Sequence, residues 1–246
     1  MKLGIQMYSL YEDQDKDFEG TLKKVAEMGY DGIEFCGYCG REPKQIKKLL
    51  SDLGLEAASA HQGLPNKEDW AKVMDDAAEI GIPALIIPHR ATEAWFPKCE
   101  MEKTFSLINE YGEFAKKYGI QIGFHNHYME FCQVYGKTIM EQIYDNTPDD
   151  FIMQIDCCWA QYGYGDAFAA IKKFGKKSTI LCHYKQLLQQ NSTATTTIDK
   201  GCVDFKPITE YLKANNAKWA IVEQERIDIP ALEAAKINHD YVRSIL

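Results

Sequence analysis

One phrase recurs along this chain and constrains its fold more than any other feature. It is an amphipathic helix, a Gly or Asn turn, then a short apolar strand. It reads LKKVAEMGYDGIEF, IKKLLSDLGLEAASAH, WAKVMDDAAEIGIPALIIPH, FAKKYGIQIGFHNH and YLKANNAKWAIVEQE. The helical halves space apolar residues by three and four, as at Leu22, Val25 and Ala26 and again at Ile46, Leu49 and Leu50. Gly29, Gly54, Gly81 and Gly119 follow the last helical turn, where a left-handed backbone favours glycine. The strand halves are near-continuous apolar runs, the pattern of parallel strands covered by helices.

Eight strands are expected, at 3–9, 32–36, 55–61, 84–89, 121–127, 151–157, 179–185 and 219–225. Eight units in 246 residues is about 31 residues each, a fitting length for one β-α unit. No Pro/Ser-rich linker divides the chain, so the reading is α/β, a single (β/α)8 TIM barrel over residues 1–246. A doubly wound sheet is the alternative, disfavoured because no G-x-G-x-x-G follows the first strand. The polar stretch 187–201, LLQQNSTATTTIDKG, reads as a long loop after strand seven.

Charge narrows the partners. Lys and Arg number 28 against 36 Asp and Glu, a balance of −8, which argues against nucleic acid or an anionic membrane and for small-molecule chemistry. The opening MKLGIQMYSLYEDQDKDF lacks the apolar core of a signal peptide, and no window approaches the roughly 20 apolar residues of a membrane span. A cytoplasmic location is expected, with eight reduced cysteines that serve mostly as small buried hydrophobes. Cys36 and Cys39 form a lone C-x-x-C with no second pair at zinc spacing.

In such a barrel the chemistry sits at the C-terminal ends of the strands. Those ends carry Tyr8, Glu34, His61, His89, His125-Asn126-His127 with Glu130 close behind, Asp156, His183 with Lys185, and Glu223 with Glu225. Five of the six histidines fall there, all but His239. Asp156, His183 and Glu223 from three successive strands converge on one point. An O/N/O set of this kind suits Mn²⁺, Mg²⁺, Co²⁺ or Zn²⁺. His127 shares a face with His125, two residues away on the expected strand. Tyr8, Trp95 and Trp159 are candidate sugar-stacking aromatics, with a place in the core as their other reading. His61 and His89 are candidates to bind substrate hydroxyls, Lys185 to meet a phosphate or enediolate oxygen, and Glu34 to orient substrate. No arginine cluster or Gly-rich loop declares a phosphate site.

GIQMYSL, GYDGIEF, SAHQGL, IGFHNHYMEF, the segment from Asp156 to Trp159, His183-Tyr-Lys185, Gly201 to Phe205 and Val222-Glu223 together resemble the xylose isomerase-like barrels, the sugar phosphate isomerase/epimerase group. The resemblance implies one divalent cation, Mn²⁺ first and Zn²⁺, Co²⁺ or Mg²⁺ as alternatives, held by Asp156, His183, Glu223 and a strand-five ligand. Many relatives have a glutamate in that last place; His125 occupies it here, with Glu130 able to reach back from the loop. The group's usual His-x-Lys-Asp is His183-Tyr-Lys185-Gln186 in this chain.

The chemistry such a site suits is removal of a proton next to a carbonyl, with the cation polarising that carbonyl. The leading expectation is an isomerase or epimerase of a small sugar or keto-sugar, with Glu223 and either His127 or Glu130 as the catalytic groups. The alternative is a lyase, a sugar or inosose-type dehydratase or a 3-keto-glycoside-cleaving enzyme. In some lyases of the group a histidine resembling His127 is the base. The partner expected is a small sugar or polyol-derived substrate, and the resemblance is compatible with a homo-oligomer. A relative of the barrel-shaped apurinic endonucleases would need a basic DNA-facing surface, which the charge opposes. A sugar-binding protein without catalysis would show no dependence on added Mn²⁺.

Overall fold

The apolar runs form eight parallel strands: β1 (Lys2–Gln6), β2 (Gly32–Phe35), β3 (Glu56–His61), β4 (Ala84–Ile87), β5 (Gln121–His125), β6 (Ile152–Asp156), β7 (Leu181–Tyr184) and β8 (Trp219–Val222). They pair in the order β1-β8-β7-β6-β5-β4-β3-β2 and close into a barrel with helices between strands. The expected (β/α)8 TIM barrel is the observed one. The structure is a computed structural model that describes residues 1–178 and 181–246. The first two residues expected in strand seven, 179 and 180, lie outside the described residues.

Most strands end earlier than expected. β1 stops at Gln6, whose side-chain carbonyl accepts the N–H of Tyr8 and starts a 3-10 turn at Met7–Leu10. β4 stops at Ile87 and β5 at His125, so His89 and His127 stand on the loops beyond. The 187–201 stretch is not loop throughout, because Gln186–Leu187 pairs antiparallel with Thr195–Thr196. Glycine ends the helices Phe18–Met28 and Pro43–Leu53, at Gly29 (φ +95°) and Gly54 (φ +68°). Among the described residues no helix is long and apolar enough to cross a membrane.

Two apolar layers hold the barrel. The larger packs helices on its outer wall, for example Leu22, Ile46, Met74, Ile108 and Ile171 against Leu3, Ile33 and Phe124. The smaller fills the lumen with Ala58, Ala84, Ile86, Ile152, Leu181, Trp219 and Ile221. Small residues face the large ones there. A Cβ at Gly32 would lie 2.4 Å from Glu56 O and 2.7 Å from the Trp219 ring. This plug closes the lower barrel and leaves its C-terminal mouth as the place for chemistry.

Candidate active site

Strand periodicity carries each inward row from the apolar plug up to polar residues. Gly4 is followed two places on by Gln6, Gly32 by Glu34, Gly123 by His125, Ile152 by Gln154 and Asp156, Leu181 by His183 and Lys185, and Ile221 by Glu223. All of these polar residues are buried, from 0% to 5% exposed. A buried polar group is costly unless it is hydrogen-bonded, so the partners define the site.

The lower polar layer is organised by Glu34. Its Oε1 accepts from Gln6 Nε2 (2.6 Å) and His183 Nε2 (2.6 Å) and pairs with His61 Nε2 at 3.1 Å. Its Oε2 accepts from Ser59 Oγ (2.5 Å) and Gln154 Nε2 (2.6 Å). Burial opposes the charge of Glu34, but the His61 and His183 imidazoles and these hydrogen bonds outweigh it and hold the carboxyl at about 2. Gln154 Oε1 in turn meets His61 Nε2 at 2.8 Å and His125 Nδ1 at 3.2 Å. The rings of His61, His125 and His183 gather with centroids 4.6 to 5.2 Å apart.

Above this layer, His125, Asp156, His183 and Glu223 each offer a donor atom, all within 4.8 Å of one another. Asp156 Oδ1 accepts the backbone N–H of Trp159 (2.8 Å), while Oδ2 lies 4.0 Å from His125 Nε2 and has no hydrogen-bond partner among the described residues. Burial pushes Asp156 up to about 8 despite the nearby Lys185, and the charge of Glu223 adds to the push. His183 spans Glu34 and Glu223, with Nδ1 2.8 Å from Glu223 Oε2. Burial disfavours its charge, yet the two flanking carboxylates raise it well above the usual imidazole range. Burial and the neighbouring imidazoles push His125 the other way. Two imidazoles and two buried carboxylates, one with an orphaned oxygen, fit a divalent cation of the Mn²⁺, Co²⁺ or Zn²⁺ kind. The positive charge would offset what the two carboxylates lose on leaving water.

Lys185 Nζ donates to Glu225 Oε1 (2.7 Å), lies 3.8 Å from Glu223 Oε2 and sits 4.7 Å from the centre of the Trp159 ring. Burial opposes its charge, but these carboxylates raise its pKa above the ordinary lysine value. His127 stands on the loop after β5, its ring 5.0 Å from that of His125 and 6.0 Å from that of Trp159. Burial lowers it to about 4, with Glu223 pulling upward. Its Nδ1 and the Trp159 Nε1 are both buried and, like Asp156 Oδ2, unpartnered among the described residues. Three orphaned polar atoms at one mouth mark a place built to receive a polar ligand.

The model of the xylose isomerase-like TIM barrel matches residues 22–245. The chain belongs to the xylose isomerase-like TIM barrel family. This family is one of enzymes, and the relatives of this xylose isomerase-like barrel carry names of several reaction types. It is 29% identical to the inosose dehydratase of Lactiplantibacillus plantarum, over 95% of this chain and 90% of that protein. It is 23% identical to an inosose dehydratase of Mesomycoplasma hyopneumoniae, over 94% of this chain and 90% of that protein. Among solved structures, a sugar phosphate isomerase/epimerase from Parabacteroides distasonis superposes with a TM-score of 0.85 at 24% identity, covering 99% of this chain and 94% of that one.

Some residues of this xylose isomerase-like barrel sit where the sequence did not put them. Glu130 does not reach back to the four-residue group, because its Oε2 accepts the backbone N–H of His127 at 2.8 Å. His125 is the strand-five member of the group. Glu34, read as a substrate contact, spends its oxygens on protein donors. His89 is exposed on its loop, its ring 6.1 Å edge-on to that of His127. Trp95 is a core aromatic against Phe105 and Phe124. Tyr8 is 48% exposed and lines, with Tyr11, Glu225 and Arg226, a cavity of about 650 Å³ at the mouth. Cys36 and Cys39 are free thiols. Gln6, Ser59 and Gln154 join the site without having been among the residues expected there. Their signal was available: each lies two places along its strand from another inward residue, Gln6 from Gly4, Ser59 from His61 and Gln154 from Asp156.

Proposed function

We propose that this chain is a divalent-metal-dependent lyase that removes water from a cyclic polyhydroxy ketone. The observation that carries the reading is the Nδ1 of His127, a buried imidazole nitrogen at the mouth with no hydrogen-bond partner among the described residues. Burial lowers the pKa of His127 to about 4, so at neutral pH the ring is an uncharged imidazole with one bare nitrogen. The names of the curated relatives support the same reaction class.

His125, Asp156, His183 and Glu223 would hold the cation. When bound, it supplies polarisation of the substrate carbonyl and neutralises negative charge developing on its oxygen. His127 takes the proton from the carbon beside the carbonyl. The electron pair of that C–H bond moves into the enolate and then expels the β-hydroxyl, which leaves as water once protonated. Lys185, an ammonium held by Glu225, is the nearby hydrogen-bond donor for the enolate oxygen, and the proton taken up by His127 is the one returned to the leaving hydroxyl. Trp159 contributes an apolar wall and its free indole N–H.

A second reading is favoured by Glu223. This carboxylate is buried at 5% exposure, and Lys185 and His183 hold it ionised against the cost of burial. Glu223 with His127 would return the proton to the same or the adjacent carbon, as an isomerase or epimerase of a small keto-sugar. One experiment separates the two. The protein is incubated with Mn²⁺ and either inosose or a panel of ketohexoses, and products are read by mass spectrometry and chromatography. Loss of one water from inosose supports the lyase. Epimerised ketohexoses with inosose returned intact establish the second reading instead.

A further inference from the structure

Two of the four candidate ligands are imidazoles, and an imidazole binds a cation only through a nitrogen that carries no proton. Which nitrogen is bare follows from the hydrogen bond the other one makes. In this barrel that choice traces back to a single carboxylate.

Both oxygens of Glu34 are met by donors: Gln6 Nε2, its amide fixed by the Tyr8 N–H on Oε1, and His183 Nε2 at one, Ser59 Oγ at the other, so this carboxylate accepts. The Gln154 atom 2.6 Å from Glu34 Oε2 must therefore be the amide nitrogen, since a flipped amide would set oxygen against oxygen. That leaves Gln154 Oε1 facing two imidazoles, and a carbonyl oxygen also only accepts. Its donors are His61 Nε2 at 2.8 Å and His125 Nδ1 at 3.2 Å. With the proton on Nδ1, His125 has a bare Nε2, and this is the atom that looks toward Asp156 Oδ2 at 4.0 Å. His183 is set by the same carboxylate without a relay. Its Nε2 donates to Glu34 Oε1 at 2.6 Å, which leaves Nδ1, the nitrogen beside Glu223, to release its proton and face the cation.

We propose that Glu34, with Gln154 as its relay, is a positioning residue that sets the tautomers of His125 and His183, so that each presents a bare nitrogen to the cation site. The purpose of this device rests on the ligand set proposed above; its geometry does not. A single carboxylate thereby couples β2 to ligands on β5 and β7, and Ser59 and Gln6 complete its hydrogen bonds so that it has no reason to turn away.

The test begins with uniformly ¹⁵N-labelled, metal-free wild-type protein. Long-range ¹H–¹⁵N spectra of the imidazoles are assigned through single His→Gln variants. The expected result is a neutral His125 protonated on Nδ1. In Gln154→Leu that ring loses its fixed tautomer and its signals move toward the Nε2–H or averaged form. Zn²⁺ affinity, read by competition with a chelating dye, falls about 10- to 100-fold in Gln154→Leu and in Glu34→Gln. In the Zn²⁺-loaded wild type, His183 keeps its proton on Nε2. A wild-type His125 protonated on Nε2 overturns the proposal, and this needs no variant to fold. So does a folded Gln154→Leu with unchanged tautomer and unchanged affinity. If the tautomers are as stated and shift in the variant while the wild type binds neither Zn²⁺ nor Mn²⁺, the relay stands and the cation reading falls.

Discussion

Asp156 ends β6 and caps the next helix through Trp159. Its Oδ1 accepts the Trp159 N–H at 2.8 Å, which turns Oδ2 into the mouth of the barrel. One carboxylate thus serves the fold with one oxygen and the site with the other. Asp156→Asn separates the two roles, because asparagine caps a helix about as well as aspartate but brings no charge. The metal-free variant is expected to be about as stable as wild type, since burial already pushes the Asp156 carboxyl up to about 8 and keeps it mostly uncharged at neutral pH. Its affinity for Mn²⁺ or Zn²⁺ should fall by more than the roughly 100-fold seen for partners outside the ligand set. Melting curves and elemental analysis check both halves, and normal metal content would remove Asp156 from the ligands.

His127 lies outside the four-residue group, so its loss should leave metal content unchanged. His127→Gln is expected to lower kcat for water loss by about 10²- to 10⁴-fold, the range for a general base, with little change in KM. A variant that keeps full kcat would show that another group takes the proton.

The barrel plug predicts an asymmetry between two glycines. At Gly32 an added Cβ would meet the backbone oxygen of Glu56 at 2.4 Å, which cannot swing aside. At Gly4 the nearest atom is the tip of Ile221 at 2.7 Å, which can. Gly32→Ala is therefore expected to cost about 1–3 kcal/mol or more and Gly4→Ala clearly less. Urea unfolding of the two variants side by side tests this, and equal losses would contradict it.

Glu141 predicts a pH dependence away from the site. It caps the helix Ile139–Asn146 by accepting the Thr138 N–H (2.8 Å), and it pairs with Lys173 (2.5 Å). The Lys173 hydrogen bond and the Thr138 cap hold its carboxyl down at about 2. A carboxyl lowered on folding adds stability that is fully present above its unfolded pKa and lost as pH falls toward the folded value. Glu141→Gln should thus be less stable than wild type by about 1 kcal/mol near neutral pH. The gap should shrink on acidification below about pH 4. Parallel unfolding curves at the two pH values measure it. A gap that stays constant would assign the effect to packing.

The outline of the site was legible because strand periodicity is local. Asp156, His183 and Glu223 each stand at the end of an apolar run, and in a barrel such ends converge whatever lies between them. The exact ends of the strands were less legible. His127 was expected two residues along a strand from His125, but β5 stops at His125 and the ring reaches the mouth from a loop. Glu130 could not be judged from its spacing, because only the loop's path turns its carboxylate onto the His127 backbone.

The sequence by itself determined the architecture and the ring of chemical residues, since both follow from hydrophobic periods of 3.6 and 2 that act within a few residues. The tertiary structure alone decided the layer beneath. Gln6, Glu34, Ser59 and Gln154 come from β1, β2, β3 and β6, and the hydrogen-bonded pair Glu34 and Gln154 lies 120 residues apart. Whether they meet depends on the register of each strand pair and on closure of the sheet. Those are set by packing summed over the whole barrel, including a bulge in β2–β3 pairing between Ile33 and Glu34. No local pattern encodes that sum. The carboxylate that orients two imidazoles therefore reads in the chain as one more polar residue at the end of a strand.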